Sequence, residues 1–174
     1  MRFDEFVARH QIVVSPVDRF AGFVVDVGKP PEWLPLDTAP GLRAWVDHDD
    51  SCTDVFRANA VLTTHHLAAG VDAGELFGML SDKQLQSVPG CREQRRELAQ
   101  ATEGAGVVGL LALQIPHELG TLASVSRTRI ITSEQETLIA QLTMTALEDT
   151  AVSPSDVWLT VRSSSEGDDV ARLV

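Results

Sequence analysis

The densest group of chemistry-bearing side chains is Asp47-His48-Asp49-Asp50, followed by Cys52 and Asp54. Carboxylate and imidazole ligands at such spacing could hold a divalent cation. An EF-hand loop needs D-x-[DN]-x-[DN]-G with a glutamate at the twelfth position, and here both the glycine and the spacing are missing. The segment therefore reads as an acidic solvated loop between strands, and no metal or other cofactor is expected. A small metal-dependent enzyme using residues 47–54 with a histidine is the alternative reading of function.

Other combinations fare no better as catalysts. His65 and His66 are adjacent in a strand-like stretch, so they project to opposite faces and only one can join a given pocket. His117-Glu118 follows Pro116 in an expected hairpin turn, without the HExxH spacing that puts two histidines on one helical face. No G-x-S-x-G elbow is present, and neither Cys52 nor Cys91 lies in a CxxC pair. The two thiols are expected to be free.

Gly104-Ala-Gly106-Val-Val-Gly109 matches the letters of a dinucleotide fingerprint. That motif works only after a strand and at a helix start, where the pyrophosphate meets the helix N-terminus. Here a strand is expected to follow, so the glycines mark a turn between strands. With no catalytic constellation, the chain is expected not to be an enzyme.

What remains is surface for recognition. Trp33 stands beside Pro30, Pro31 and Pro35, and Trp45 lies opposite the apolar face of its own short strand. These two tryptophans are the aromatics expected to reach a groove or a partner. Arg127 and Arg129 join them as candidate partner-binding residues. The other arginine cluster, Arg92, Arg95 and Arg96, lacks interleaved aromatics and reads as a solvated strand or turn face.

Composition bounds the setting in which those residues act. At 174 residues the chain fits one domain, able to bury roughly 70% of its unfolded surface without metal or disulfide. A net charge of −11 argues against nucleic-acid binding, which depends on Lys and Arg displacing counterions. Asp4, Glu5, Arg9 and His10 interrupt the apolar residues at the start, where a secretory signal needs 7–15 uninterrupted ones. No stretch approaches the ~20 apolar residues of a membrane span. The expected location is cytoplasmic.

The elements expected to position these residues are mostly strands. Residues 20–27 form one, ended by Pro30-Pro31, and 42–46 a second with Arg43 and Trp45 on one face. A third runs over 56–67. Asp72 then caps a helix over 72–86, with Glu75 three residues on and Gly78 implying close packing on a sheet. Strands over 97–102, 106–115, 122–132 and 137–147 follow, the last having Leu138, Ala140, Leu142, Met144 and Ala146 on one face. Ser153-Pro154 looks like a helix start, yet 157–162 is β-rich, so helix and strand compete there. The expected architecture is α+β: an antiparallel sheet of about six strands with helices packed on its faces. Residues 1–162 form the domain and 163–174 a polar tail.

Several strings, spanning about residues 20–161, carry a resemblance. They are Phe20-Ala-Gly-Phe-Val-Val-Asp-Val27 followed by Pro-Glu-Trp33-Leu-Pro-Leu; Ala58-Asn59-Ala60-Val61-Leu62 leading to His66-Leu67; and 138–146 ahead of the last element. In these the chain resembles the LpqN/LpqT family of actinobacterial lipoproteins and lipoprotein-like proteins, whose fold is the PsbP-like sandwich. The resemblance implies a non-enzymatic binding or adaptor domain, recognising a protein partner or an amphiphile and linked to envelope or secretion work. Family members carry a signal peptide and a lipobox cysteine, and neither pattern is found in this sequence.

Overall fold

The structure is a computed structural model that describes residues 1–48 and 56–164. In chain order its elements are α1 (Phe3–Arg9), β1 (Val14–Pro16), β2 (Phe23–Gly28), β3 (Leu34–Pro35), β4 (Leu42–Val46), β5 (Asn59–Leu67) and α2 (Ala73–Ser87). They continue with β6 (Arg92–Gln100), β7 (Val107–His117), β8 (Gly120–Thr132), β9 (Thr137–Leu147), a 3₁₀ turn (Pro154–Asp156) and β10 (Trp158–Ser163).

All pairings are antiparallel, as the alternation of side chains along the strands suggests. The main sheet has eight strands in the order β3-β4-β5-β9-β8-β7-β6, with β1 paired to the end of β5 that β4 leaves open. It is larger than the expected six strands, because β1 and β3 are too short to register as alternating runs. The remaining strands, β2 and β10, form a separate two-stranded ribbon. The fold is α+β.

Central strand β9 explains the layering. Its even-numbered residues, including Ala140, Leu142 and Met144, enter a core cluster with Leu62, Phe20 and Val161 of the ribbon side. Ile139 enters a second cluster with Phe6, Leu67, Leu76 and Phe77. The sheet is therefore covered by the ribbon on one face and by α1 and α2 on the other. On the helix face positions 141, 143 and 145 of β9 are polar and pair with their opposite numbers on β8. Gln141 donates to Thr128 (3.0 Å), Thr143 meets Ser126 (2.8 Å) and Thr145 meets Ser124 (3.3 Å).

Helix α2 begins as expected: the Asp72 carboxylate accepts the Glu75 amide at 2.8 Å. Its Gly78, however, has nothing within 4 Å of where a Cβ would sit. Close packing comes from the strand instead, since a Cβ on Gly109 of β7 would lie 2.3 Å from the Phe77 ring. The competition between helix and strand near the end is resolved: the helix start at Ser153 yields only a 3₁₀ turn, and the β-branched run after it pairs with β2 as β10. Residues 3–9, not expected as an element, form α1, which docks Phe6 beside α2.

Leu142 has no exposed surface, whereas Thr143 faces the polar rungs under α2. Leu142→Ala is expected to lower stability by about 2–5 kcal/mol in urea unfolding. Thr143→Ala is expected to cost only about 1 kcal/mol, one ordinary hydrogen bond. Equal large losses would contradict the layering described.

Candidate binding groove

The ribbon is narrower than the sheet beneath it, and a groove of about 890 Å³ remains between β2 and strands β4 and β5. Its floor is the ribbon-side face of those strands, with Trp45 paired across to Ala60 and Arg43 to Leu62. Residues 23–27 of β2 form one wall, and residues 18–20 and 38–40 form the other. Arg43 sits over the Trp45 ring, 5.7 Å from its centroid, within the range of a cation–π contact.

Buried Thr64 holds the rim in place. Its amide donates to Gly41 O (2.9 Å), its carbonyl accepts from Val17 N (3.1 Å), and its hydroxyl donates to Val17 O. Gly41 has φ +67°, and a Cβ there would lie 2.6 Å from Thr64 O, so only glycine closes this turn. The Gly41 amide in turn donates to the Asp18 carboxylate at 2.8 Å, which sets Arg19 at the groove. Asp26 pairs with Arg162 across the ribbon at 3.3 Å. Both carboxylates that line the groove are thus engaged, while Arg19 and Arg43 have no carboxylate partner among the described residues.

Of the four residues expected to meet a partner, the groove holds Trp45 alone. Trp33 is 2% exposed and belongs to the core, its Nε1 enclosed without a hydrogen-bond partner. The neighbouring prolines turn it inward; the tryptophan left outside is Trp158, 48% exposed. Its indole lies over Gly28, the residue opposite it on β2, where a Cβ would come within 1.7 Å of the ring. Arg129 is 6% exposed, and its Nη1 donates to Glu103 O (2.9 Å) and Ala105 O (3.0 Å) in the β6–β7 turn. Arg127 donates to Pro154 O at 2.8 Å and leaves Nη1 enclosed without a partner. Burial pushes both guanidinium pKa values below the ordinary value. These arginines fasten connections and are not presented to a partner.

The other sequence candidates fall as follows. Residues 49–54 of the acidic loop, Cys52 among them, lie outside the described residues. Among the described residues no three His, Cys, Asp or Glu side chains gather as metal ligands. The glycine-rich stretch is a turn between β6 and β7, as expected. Cys91 is a free thiol against Leu85 O. Arg92, Arg95 and Arg96 lie on edge strand β6, where Arg95 pairs with Glu97 (2.6 Å) and Arg96 with Glu93 (2.6 Å) and Asp82 (3.0 Å).

The two histidines do part company. His66 meets Glu136 at 2.8 Å on one face. His65 faces a smaller cleft of about 290 Å³ beneath α2, walled by Phe3, Leu80 and Ile139 and closed by Lys83 and Gln84. Burial, and then the Lys83 ammonium, push the His65 pKa below its ordinary 6.5. Sequence reading missed this cleft, because it forms where α2 and Phe3 of the short helix α1 meet strands β1, β5 and β9, and such a meeting has no local signature.

No protein-family model matches the chain, and no curated protein matches it by sequence. Among solved structures it is similar to the crystal structure of LpqN, involved in cell envelope biogenesis of Mycobacterium tuberculosis. The TM-score is 0.67 at 17% identity, over 86% of this chain and 87% of that one. At that identity the likeness is one of fold, and the fold is LpqN-like. No helix among the described residues is long and apolar enough to cross a membrane.

Two outcomes are expected in unfolding experiments. Arg129→Ala should cost about 1.5–3 kcal/mol, because a charged donor to two turn carbonyls is lost. Arg127→Met should be nearly neutral, since removing an enclosed unpaired nitrogen offsets the bond to Pro154. A third expectation concerns pH. With the His65 pKa depressed in the fold, the unfolded chain binds the proton more readily. The stability His65 contributes is therefore present above about pH 6.5 and declines as pH falls through that value. Urea midpoints at pH 7 and pH 5 should differ less in His65→Asn than in wild type.

Proposed function

We propose that this protein is a non-enzymatic binding domain that recognises a protein partner through the groove between the β2–β10 ribbon and strands β4 and β5. The observation that carries this reading is the groove's composition. It combines an aromatic and aliphatic floor, at Trp45 and Leu62, with two arginines that no carboxylate of the described chain neutralises. Surfaces that unite a tryptophan, an arginine and a concave shape are those in which a few side chains dominate association. The solved LpqN is involved in cell envelope biogenesis, and a role for this chain in envelope or secretion work is the corresponding proposal. The expected cytoplasmic location goes with it.

The test uses a photo-crosslinking amino acid placed at position 43, with position 118, exposed at the β7–β8 hairpin, as control. Irradiation in cells that naturally contain the protein should give adducts from position 43 and none from position 118. Trp45→Ala should weaken capture of that partner at least tenfold, about 1.4 kcal/mol, with an unchanged circular dichroism spectrum. Equal adducts from both positions, or full capture by a folded Trp45→Ala variant, would show that the groove is not the binding surface.

A further inference from the structure

Strand β2 lines the groove with five consecutive residues, 23–27, which is what a strand presents along its edge and not from a face. Its other edge is occupied, because β2 pairs with β10 and with no other strand. In an antiparallel ladder alternate residues direct both backbone groups to the partner. The Ser164 amide donates to Gly22 O at 2.9 Å, so Gly22 and the even positions after it face β10. Phe23 confirms the phase by donating its amide away from β10, to Phe20 O at 3.3 Å.

The N–H and C=O groups of Val25 and Val27 therefore point into the groove. Among the described residues nothing bonds to them. We infer that this free edge of β2 takes an extended acidic peptide as an added strand, widening the ribbon from two strands to three. The inference rests on reading the groove as the binding surface and names the kind of partner.

Three features favour this occupant. First, the edge spans about 17 Å, enough for a five-residue strand. Second, it carries none of the devices that normally blunt an edge: residues 23–25 and 27 are apolar, and the Asp26 side chain is engaged by Arg162. The sheet edge at β6, by contrast, is crowded with ion pairs. Third, the uncompensated charge in the groove is positive, from Arg19 and Arg43, on a chain of net charge −11. Beyond about 8 Å the overall repulsion is screened at physiological salt, so arginines at contact distance decide the preference. Carboxylates on one side of an added strand would pair with them, leaving apolar side chains for Trp45 and Leu62.

The experiment measures fluorescence anisotropy of labelled, end-capped peptides of alternating valine and glutamate with the full chain. Compared with it are a valine–lysine peptide and two versions N-methylated on alternate residues, one for each strand edge. The acidic peptide should bind at least tenfold more tightly than the lysine one. One N-methylated version should lose at least tenfold and the other should keep its affinity. Val25→Pro removes only the donor that faces the groove, so the ribbon keeps its own bonds and binding should fall at least tenfold. If that variant does not fold, the N-methylated pair still decides.

Equal affinity for the acidic and lysine peptides, or no loss in either methylated version, overturns the inference. Dodecyl phosphate separates this failure from failure of the groove itself. If the peptides do not bind but dodecyl phosphate is held and released by Arg43→Glu, the groove survives and the peptide inference falls. If neither probe responds to Arg43→Glu or Trp45→Ala, both readings fall.

Discussion

Central strand β9 is apolar on one face throughout, and its neighbours β5 and β8 bury residues on both faces, so the sheet must be covered on both sides to exclude water. The main sheet is seven strands across, or about 30 Å at the usual strand spacing. Each cover is narrower than that. On one side α2 lies over β8, β7 and β6 with α1 beside it. On the other, the β2–β10 ribbon lies along β8 and the middle of the sheet. Both cavities follow from this mismatch in width. The groove opens where the ribbon stops short of β4, and the smaller cleft opens where α2 stops short of β5.

The same constraint explains why polar residues sit inside. Where helix and sheet do not meet closely, an apolar face would line a void, and the β8–β9 hydroxyl and amide rungs supply atoms that satisfy one another. Gln84 of α2 joins these rungs by donating to Ser126 at 2.8 Å, which ties the helix to the sheet by a bond as well as by packing. Arg129 does comparable work on the ribbon side. Its guanidinium gathers two carbonyls of the β6–β7 turn.

The edges at β6 and β2 are treated in opposite ways. Strand β6 is long and would template further pairing, but its sequence Arg92-Glu-Gln-Arg-Arg-Glu97 puts charge on both faces and binds it up in ion pairs. Strand β2 needs apolar residues at 23, 25 and 27 because they face the core, so it cannot carry such charge. Its edge is instead recessed between two loops held by Thr64 and Gly41. An edge kept apolar by the core and reachable only through a groove can exclude indiscriminate pairing while admitting a slender chain.

Local rules determined the elements. The period-two pattern over 137–147 marks β9 with its boundaries, Asp72 and Glu75 mark the start of α2, and the glycines at 104 and 106 mark a turn, each through interactions within a few residues. A histidine pair on a strand must split between faces, and it does. Only the tertiary structure decided where those elements lie and what their polar ends meet. Val157 to Val161 suits helix or strand locally, and pairing with β2 settles it. Trp33 and Trp45 look alike beside their turns, but one is rotated into the core and the other onto the groove floor. Arg127 and Arg129 carry the same charge whether they meet a partner or a turn carbonyl, and the turns they fasten lie more than twenty residues away in sequence. The groove itself has no sequence signature, because its wall and floor come from strands that approach one another only when the ribbon closes over the sheet.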